Sequence, residues 1–324
     1  MIDHSYRCLL VGNPNSGKST LFNKLTGLHQ KTGNFQGVTV EKLSGTLEKG
    51  DTLVEMIDLP GAFSLSGLSE DKIVLSKFLL NRDKSDKIIF VIDSILLERS
   101  LQFLFQISEL GAPVFVVLTM KDILEKKNVS VDIEKLKKKI GLNIYLVNGK
   151  SGEGMEELKE AIFDEKSFKI PERLWQWDTK REALLKKIGF KIQTENPSLF
   201  FFILSNSLKQ LSGEALQNDI PGLDLFSSPT KKLIETEFKK SKMLFTYQDE
   251  LICKSKKIKS ILADIVNGTP KGKGAISAKI DSILLHPLGG MLFFLSIMGL
   301  VFQALFSWSQ IPMDFIDNLI KFLS

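Results

Sequence analysis

The stretch LLVGNPNSGKSTLFNKL, Leu9 to Leu25, joins an apolar run to an amphipathic run through a loop bounded by glycines. Four residues separate Gly12 from Gly17, and Lys18 and Ser19 follow directly, which is the spacing of a phosphate-binding loop between a strand and a helix. In such a loop the backbone amides surround the phosphates, the lysine reaches the β and γ oxygens, and the hydroxyl binds Mg²⁺. The expected nucleotide contacts here are Gly12, Asn13, Pro14, Asn15, Ser16, Gly17, Lys18, Ser19 and Thr20.

The composition is that of a globular protein large enough for two compact domains, with 324 residues of which 43% are hydrophobic. The net charge of +5 suits a protein near an anionic membrane and is too diffuse to indicate nucleic-acid binding. Cys8 lies in a strand-like run and Cys253 in a helical pattern, so we expect no disulfide and a reducing compartment. The opening residues do not have the pattern of a signal peptide, so the N-terminal part is expected in the cytoplasm.

Short apolar runs alternate with helical patterns over the first half of the chain. The runs are YRCLLVG (6–12), LVEMIDLP (53–60), KIIFVID (87–93), PVFVVLT (113–119) and NIYLVN (143–148). Strands that are apolar on both faces are typical of a parallel sheet covered by helices, so we predict a doubly wound α/β domain.

The β-rich runs end near residue 166, and helical periodicity replaces them. Glu172–Ile192 and Pro229–Asn267 are predicted to be helical, the second with Ser228 as N-cap, Pro229 in the first turn and an end at Gly268. The predicted organisation is a nucleotide-binding domain (1–166), an all-α domain (167–268), a basic linker (269–287), a transmembrane helix (288–308) and a post-membrane segment (309–324).

The segment Leu288–Trp308 carries no charge and is apolar on every face. About twenty residues at a rise of about 1.5 Å each span the roughly 30 Å hydrocarbon core of a bilayer. Lys271, Lys273 and Lys279 precede the segment and Lys321 alone follows it, which places the N-terminal side in the cytoplasm. The alternative is a buried core helix.

Two further stretches supply ligands expected around the γ-phosphate. Asp58, Leu59, Pro60 and Gly61 close an apolar strand, where the carboxylate can hold Mg²⁺ and the glycine amide can contact the γ-phosphate. The loop GVTVE provides Gly37, Val38 and Thr39, and the Thr39 hydroxyl is the expected second Mg²⁺ ligand beside that of Ser19.

The base is expected to lie against the ends of two later strands. Asp122 is placed to accept hydrogen bonds from two donors of guanine that adenine lacks, so guanine is favoured. The first expected base contacts are Thr119, Met120, Lys121 and Asp122, where the usual pattern is Asn-Lys-x-Asp. The second set is Asn148, Gly149 and Lys150, where Ser-Ala-Lys is usual.

At this point the sequence resembles the bacterial ferrous iron transport protein B family. The resemblance is carried by GNPNSGKSTLFN (12–23), GVTVE (37–41), DLPGAFSLS (58–66) and IDSILLHPLGG (280–290). It implies a cytoplasmic GTPase region, a helical domain that slows nucleotide release, and the first transmembrane helix of an Fe²⁺ transporter. Phe35 and Gln36 stand where the family commonly has Trp-Pro.

The resemblance also implies cofactors and partners. GTP or GDP and Mg²⁺ are the expected cofactors, and the partners are the lipid bilayer, the remaining permease helices and Fe²⁺ as the transported ion, with no nucleic acid. The expected location is the cell inner membrane, and homo-oligomerisation is left open. The alternatives are a stand-alone membrane-tethered GTPase, a GTPase of ribosome or RNA maturation, and a scaffold that binds nucleotide without hydrolysing it.

Hydrolysis is expected to be slow, because Ala62 stands where Ras-like proteins carry the glutamine that orients water. The switch loops also contain no arginine that could act as a finger. Related potassium-dependent GTPases use an asparagine in the loop, which corresponds to Asn15, and carbonyls that would match Gly33 and Phe35. The residues expected to act in catalysis are Asn15, Lys18, Thr39 and Gly61.

Overall fold

The computed structural model describes residues 4–27, 30–35, 41–65, 69–119, 130–149, 151–192, 197–214, 222–267, 284–308 and 320. The chain forms two compact units, Met1–Gly268 and Thr269–Ser324.

Within the described residues the strands of the first unit form a seven-stranded sheet and a two-stranded one. The strands are β1 His4–Gly12, β2 Gln30–Asn34, β3 Glu41–Lys49, β4 Thr52–Asp58, β5 Lys87–Asp93, β6 Val114–Thr119, β7 Ser130–Val131, β8 Ile144–Leu146 and β9 Val266–Asn267. The order in the large sheet is β2-β3-β4-β1-β5-β6-β8, and β7 pairs with β9.

The predicted strands are the parallel part of this sheet. β1 pairs in parallel with β4 and β5, and β6 pairs in parallel with β5 and β8. Every residue of β5 and β6 is buried, as their continuous apolar sequences predict. The antiparallel strands β2 and β3 at the edge were not predicted, because their largely polar sequences QKTGN and EKLSGTLEK contain no apolar run.

Helices of the first unit pack on both faces of its large sheet, and further helices follow the sheet in the chain. The helices of the first unit are α1 Lys18–Thr26, α2 Glu70–Leu80, α3 Leu97–Ser108, α4 Ile133–Ile140, α5 Met155–Phe163, α6 Thr179–Ile192, α7 Pro197–Leu211, α8 Ser228–Ser241 and α9 Tyr247–Ile265, and α10 Pro287–Gln303 belongs to the second unit. The doubly wound α/β fold class and the helical second half are confirmed; the domain boundary at residue 166 stays a prediction.

The prediction of one helical run over Pro229–Asn267 was wrong. The run is divided into α8 and α9, because Lys242 adopts a left-handed conformation with φ of 54° and Thr246 caps a new helix by accepting from the Asp249 amide at 3.1 Å. The start and the end of the predicted run also differ from the prediction. The N-cap of α8 is Ser227 rather than Ser228, and Val266–Asn267 is strand β9 rather than helix.

The predicted helix over Glu172–Ile192 begins later than expected, at Thr179. The preceding segment carries Trp175 and Trp177, which are 2% and 3% exposed and pack with their ring centroids 5.4 Å apart. The helix begins after Asp178, whose side-chain oxygen accepts from the amides of Lys180 at 3.1 Å and Arg181 at 3.2 Å.

In the second unit, Pro287–Phe306 is the one helical stretch of the described residues that is long and apolar enough to cross a membrane, at a mean hydropathy of 2.0. None of this apolar stretch is buried in the protein, as a core helix would be. His286 caps α10, since its Nδ1 accepts from the amides of Leu288 at 3.2 Å and Gly289 at 3.1 Å.

A buried cluster of charges joins the end of α3 to the helices that follow the sheet. Lys254 of α9, 3% exposed, lies 2.5 Å from Glu250 and 3.5 Å from Glu109, which follows α3 and is 2% exposed. Lys209 of α7 pairs with Glu250 at 2.5 Å. Burial by itself raises the pKa of Glu250, but Lys254 and Lys209 outweigh it and lower that pKa to about 2.

We expect Lys254→Ala to reduce the free energy of unfolding by about 3–5 kcal/mol, because it removes the nearest cation from the buried carboxylate of Glu109 and one of the two lysines that pair with Glu250. Urea unfolding followed by circular dichroism measures this. Lys259→Ala, which removes an exposed lysine of the same helix, is the matched control and should change stability by no more than about 0.5 kcal/mol. Equal unfolding midpoints for the two variants would contradict the structural role of the cluster.

Candidate nucleotide-binding site

The loop after β1 lies against the carboxyl ends of the neighbouring strands. A Cβ atom on Gly12 would lie 2.6 Å from the carbonyl oxygen of Val91 in β5, so no larger residue fits without moving the sheet. On the other side, a Cβ on Gly61 would lie 3.0 Å from the Cα of Pro14, and the Ala62 amide donates to the Gly12 carbonyl at 3.2 Å. The segment after β4 therefore packs directly on the loop.

The loop turns sharply into α1. Asn15 has φ of 61° and Gly17 has φ of 84°, both in the left-handed region, which is uncommon for a residue other than glycine. α1 begins at Lys18 with Gly17 as its N-cap, so the positive end of the helix dipole lies at the loop. The side-chain oxygens of Asn13 and Ser16 are buried without a hydrogen-bond partner among the described residues.

Lys18, Ser19 and Asp58 meet at the edge of the loop. The ammonium of Lys18 forms a buried ion pair with Asp58, and the Ser19 hydroxyl lies 3.4 Å from the other oxygen of that carboxylate. Burial raises the pKa of Asp58, and Lys18 opposes that shift. The three side chains predicted to hold phosphate and Mg²⁺ are thus in contact.

Lys18 and Ser19 line a cavity of about 560 Å³ together with Asn13, Pro14, Asn15, Gly17, Thr20 and Gly61. The cavity also contacts Asp71 in the first turn of α2, which sequence reasoning missed. The acidic pair Glu70-Asp71 after Ser69 is an ordinary helix start, so nothing in this pattern indicates that the Asp71 carboxylate lines the loop cavity.

Two hydrogen bonds support the loop from elements that follow it in the chain. The Thr119 hydroxyl at the end of β6 lies 2.7 Å from the Ser16 carbonyl oxygen, so this residue holds the loop. The Asn13 amide donates to the Ser100 hydroxyl of α3 at 2.8 Å. Ser100 was not predicted, and a serine within an amphipathic helix gives no signal of such a role.

The segment predicted to lie against the base is beside α1. A Cβ on Gly149 would lie 3.3 Å from Thr20, so Gly149 approaches the loop closely. Asn148 forms a tight turn, since its carbonyl accepts from Gly152 at 2.9 Å and its side chain from Ser151 at 3.2 Å.

Gly33 and Phe35, the predicted potassium ligands beside Asn15, lie elsewhere in this structure. Gly33 pairs with Lys42 in the edge strands β2 and β3, and Phe35 is buried against Phe78 of α2 at a centroid distance of 5.6 Å. Of the three residues only Asn15 lines the loop cavity. The predicted contacts outside the described residues are Gly37, Val38, Thr39, Met120, Lys121, Asp122 and Lys150.

A parallel-rich sheet, a glycine-bounded loop before α1, and a carboxylate at the end of β4 beside the loop lysine define a P-loop GTPase fold. Two solved structures share it. The cytosolic domain of L. pneumophila FeoB has a TM-score of 0.64 at 29% identity, covering 81% of this chain and 100% of that one. A GDP-bound mutant of S. thermophilus NFeoB has a TM-score of 0.66 at 25% identity, with coverage of 81% and 100%.

Sequence comparison matches the chain to the same group of proteins as the comparison of structures. Residues 6–162 match the family model described as ferrous iron transport protein B. The Fe(2+) transporter FeoB of Leptospira interrogans serogroup Icterohaemorrhagiae serovar Lai is 50% identical over 317 residues. This match covers 98% of the chain but 45% of the relative, so the chain spans about half the length of that protein. The chain belongs to the ferrous iron transport protein B family, which confirms the resemblance identified from its motifs.

We expect Gly12→Ala to weaken GDP binding and to cost about 1–3 kcal/mol of stability, because the new methyl group would overlap the β5 backbone. Binding of a fluorescent GDP analogue and the thermal unfolding temperature measure the two effects. Gly33→Ala is the control for stability, since a Cβ there meets no atom within 4 Å. A Gly12 variant as stable as the Gly33 variant would show that the loop does not pack on β5 as described.

Proposed function

We propose that this chain binds GTP and GDP and hydrolyses GTP, as the regulatory part of an Fe²⁺ transporter. The observation that carries the proposal is the contact of Asp58 with Lys18 and Ser19, two residues that line the loop cavity. The GDP-bound relative with the same fold supports the choice of nucleotide. Transport of Fe²⁺ is a property of the full-length relatives and is proposed here from family membership.

Mg²⁺ fits the residues that are present. The Ser19 hydroxyl and the Asp58 carboxylate are neighbouring hard oxygen donors, and the buried carboxylate otherwise has Lys18 as its counterion. Mg²⁺ commonly takes one or two protein ligands and completes its shell with phosphate and water. When bound, it neutralises charge on the β- and γ-phosphates. Thr39 is proposed as the second hydroxyl ligand.

Different loop residues are proposed to contact different parts of the phosphate chain. Lys18 leaves the Asp58 carboxylate and pairs with the β and γ oxygens, while backbone N–H groups of residues 12–20 other than Pro14 donate to the phosphates at the positive end of the α1 dipole. The Gly61 amide is proposed to contact the γ-phosphate. Ala62, 2% exposed, presents only a methyl group where a water-orienting amide would help, so we propose a slow intrinsic rate.

Base recognition is proposed to use Asp122, with Met120 and Lys121 beside it, and the turn from Asn148 to Lys150 on the other side. The position of Gly149 next to Thr20 supports the second part of this arrangement. A carboxylate accepts two hydrogen bonds, which matches the paired donors of guanine and repels the acceptor of adenine.

The second unit is proposed to cross the inner membrane through α10, with residues 1–166 and 167–268 as two cytoplasmic domains and 269–287 as the linker between them and the helix. The exposed apolar surface and the length of α10 support this arrangement. The partners proposed for α10 are the bilayer and the permease helices of the transporter.

The first test of the proposed function is nucleotide preference. We expect the chain to bind GDP at least about a hundredfold more tightly than ADP, and Asp122→Asn to shift preference toward xanthine nucleotides, because the exchanged amide complements the changed base edge. Isothermal titration calorimetry with GDP, ADP and XDP measures this. Lys18→Ala is the control for phosphate contact and should weaken all three ligands alike. Equal affinity for GDP and ADP would remove the base assignment.

The second test is monovalent-ion dependence. A K⁺ ion held by the Asn15 side chain and by carbonyls of Gly33 and Phe35 after the first switch closes would replace the missing arginine finger, which is commonly worth about 10³ or more in rate. We therefore expect faster GTP turnover in KCl than in NaCl at equal ionic strength. Asn15→Ala should remove the difference while GDP affinity is largely retained. Identical wild-type rates in the two salts would exclude this mechanism and leave the GTPase proposal intact.

A further inference from the structure

One aromatic side chain fixes the end of strand β2 on helix α2. Residues 31–34 of β2 are exposed to solvent, whereas the next residue, Phe35, is only 7% exposed. Its ring packs edge-to-face on the ring of Phe78 in α2, with a centroid distance of 5.6 Å and an interplanar angle of 80°. Such aromatic pairs stabilise a structure beyond the burial of their surface. Phe35 is therefore the side chain that holds this segment on the hydrophobic core of the first unit.

The position of Phe35 is far from the phosphate-binding loop. Strands β3 and β4 separate β2 from β1, so at about 4.8 Å between neighbouring strands β2 lies about 14 Å from the strand that carries the loop. On α2, Phe78 follows Asp71 of the loop cavity by seven residues, or about 10 Å of helix. Neither Gly33 nor Phe35 lines that cavity.

The proposed potassium site requires a different position of this segment. Two oxygens that bind one cation lie within about 5 Å of each other, twice a metal–oxygen distance of about 2.5 Å. The carbonyls of Gly33 and Phe35 therefore cannot share an ion with Asn15 while Phe35 lies against α2. Gly33 pairs with Lys42 of β3, but amides released from an exposed sheet edge can bind water instead. Burial of the Phe35 ring thus opposes the movement more than the hydrogen bonds of β2 do.

We propose that Phe78 is a positioning residue of the GTPase, because its contact with Phe35 holds the β2 segment (residues 30–35) away from the loop and release of Phe35 limits hydrolysis. This inference rests on the proposed hydrolysis of GTP. Hydrolysis proceeds only from the fraction of molecules in which Phe35 has left α2, so the rate is reduced by that fraction. Weakening the contact should speed up hydrolysis, which is the opposite of removing a phosphate or metal ligand.

Single-turnover GTP hydrolysis tests the proposal, with the full chain in phosphatidylcholine nanodiscs, saturating protein and KCl. We expect Phe78→Ala to raise the rate roughly 2- to 12-fold, the factor that an aromatic pair contributes to an equilibrium constant. GDP affinity should be unchanged, because Phe78 does not line the loop cavity. Phe78→Tyr keeps the ring and should hydrolyse GTP at the wild-type rate, since the cavity of about 760 Å³ that Phe78 lines leaves space for the hydroxyl.

Phe201→Ala is the matched control. Phe201 is also partly buried, pairs edge-to-face with Phe200 at a centroid distance of 5.7 Å, and lies 5.5 Å from the guanidinium of Arg173, as Phe78 lies 6.0 Å from that of Arg7. Because Phe201 does not contact the β2 segment, its removal should leave the rate unchanged. If Phe201→Ala speeds up hydrolysis as much as Phe78→Ala, the effect is a general loosening of the fold and the proposal fails.

Phe35→Ala removes the other ring of the pair, keeps the backbone carbonyl and should also speed up hydrolysis. The double variant Phe35→Ala/Phe78→Ala should be no faster than Phe35→Ala alone, because both changes break the same contact. Effects that multiply would show that the two rings act independently. A rate for Phe78→Ala at or below that of the wild-type chain would overturn the proposal.

Hydrogen–deuterium exchange of the β2 amides separates this inference from the proposed function. Without nucleotide, Phe78→Ala should increase exchange over residues 30–35, and neither Phe78→Tyr nor Phe201→Ala should do so. If the wild-type chain leaves GTP intact, the proposed function fails and the limiting role of Phe35 fails with it. If the wild-type chain hydrolyses GTP and Phe78→Ala increases exchange without increasing the rate, release of Phe35 is not limiting and only this inference is overturned.

Discussion

The close approach of the loop after β1 to the ends of β4 and β5 is the constraint on which the nucleotide site depends. Because β1 lies between two parallel strands, the three carboxyl ends meet at one edge of the sheet, and the chain leaving β1 has no room for a side chain at Gly12. The same arrangement brings Asp58 of β4 to Lys18 of α1, forty residues away in the chain. The chemistry at the cavity follows from this packing, since each functional group is attached to an element that the sheet fixes.

The helix α3 connects this edge to the rest of the first unit. Ser100, in its first turn, contacts the loop through Asn13, and Glu109, just past its end, contacts Lys254 of α9. The two contacts are separated by about 13 Å along a helix, at a rise of about 1.5 Å per residue. Burying Glu109, Lys254 and their neighbours is costly unless each charge meets its partner, so these ion pairs favour the observed packing of α9 on α3.

The fold could be predicted where a strand is apolar on both faces, and the site could be predicted where its function depends on the spacing of residues in the chain. The five parallel strands and the loop from Gly12 to Thr20 could be predicted, because apolar runs and the Gly-x₄-Gly-Lys-Ser spacing leave little choice. The edge strands β2 and β3 could not, since pairing there rests on backbone hydrogen bonds under largely polar side chains. The division into α8 and α9 at Lys242 could not be predicted either, because neither a glycine nor a proline stands at this position. Lysines such as Lys254 are normally solvated, so its burial becomes evident only when Glu109 and Glu250 are placed beside it.

The His286 cap provides hydrogen-bond partners for backbone amides at the start of α10. Hydrocarbon offers no partners to the free amides at the start of a helix, so a spanning segment commonly keeps its first turn at the level of the headgroups and water. Here the imidazole accepts from two of those amides, and Pro287 has no amide hydrogen to satisfy. The start of α10 is thus fixed by its own side chains. In a thinner bilayer such a helix should respond by tilting as a rigid rod, without losing its first turn.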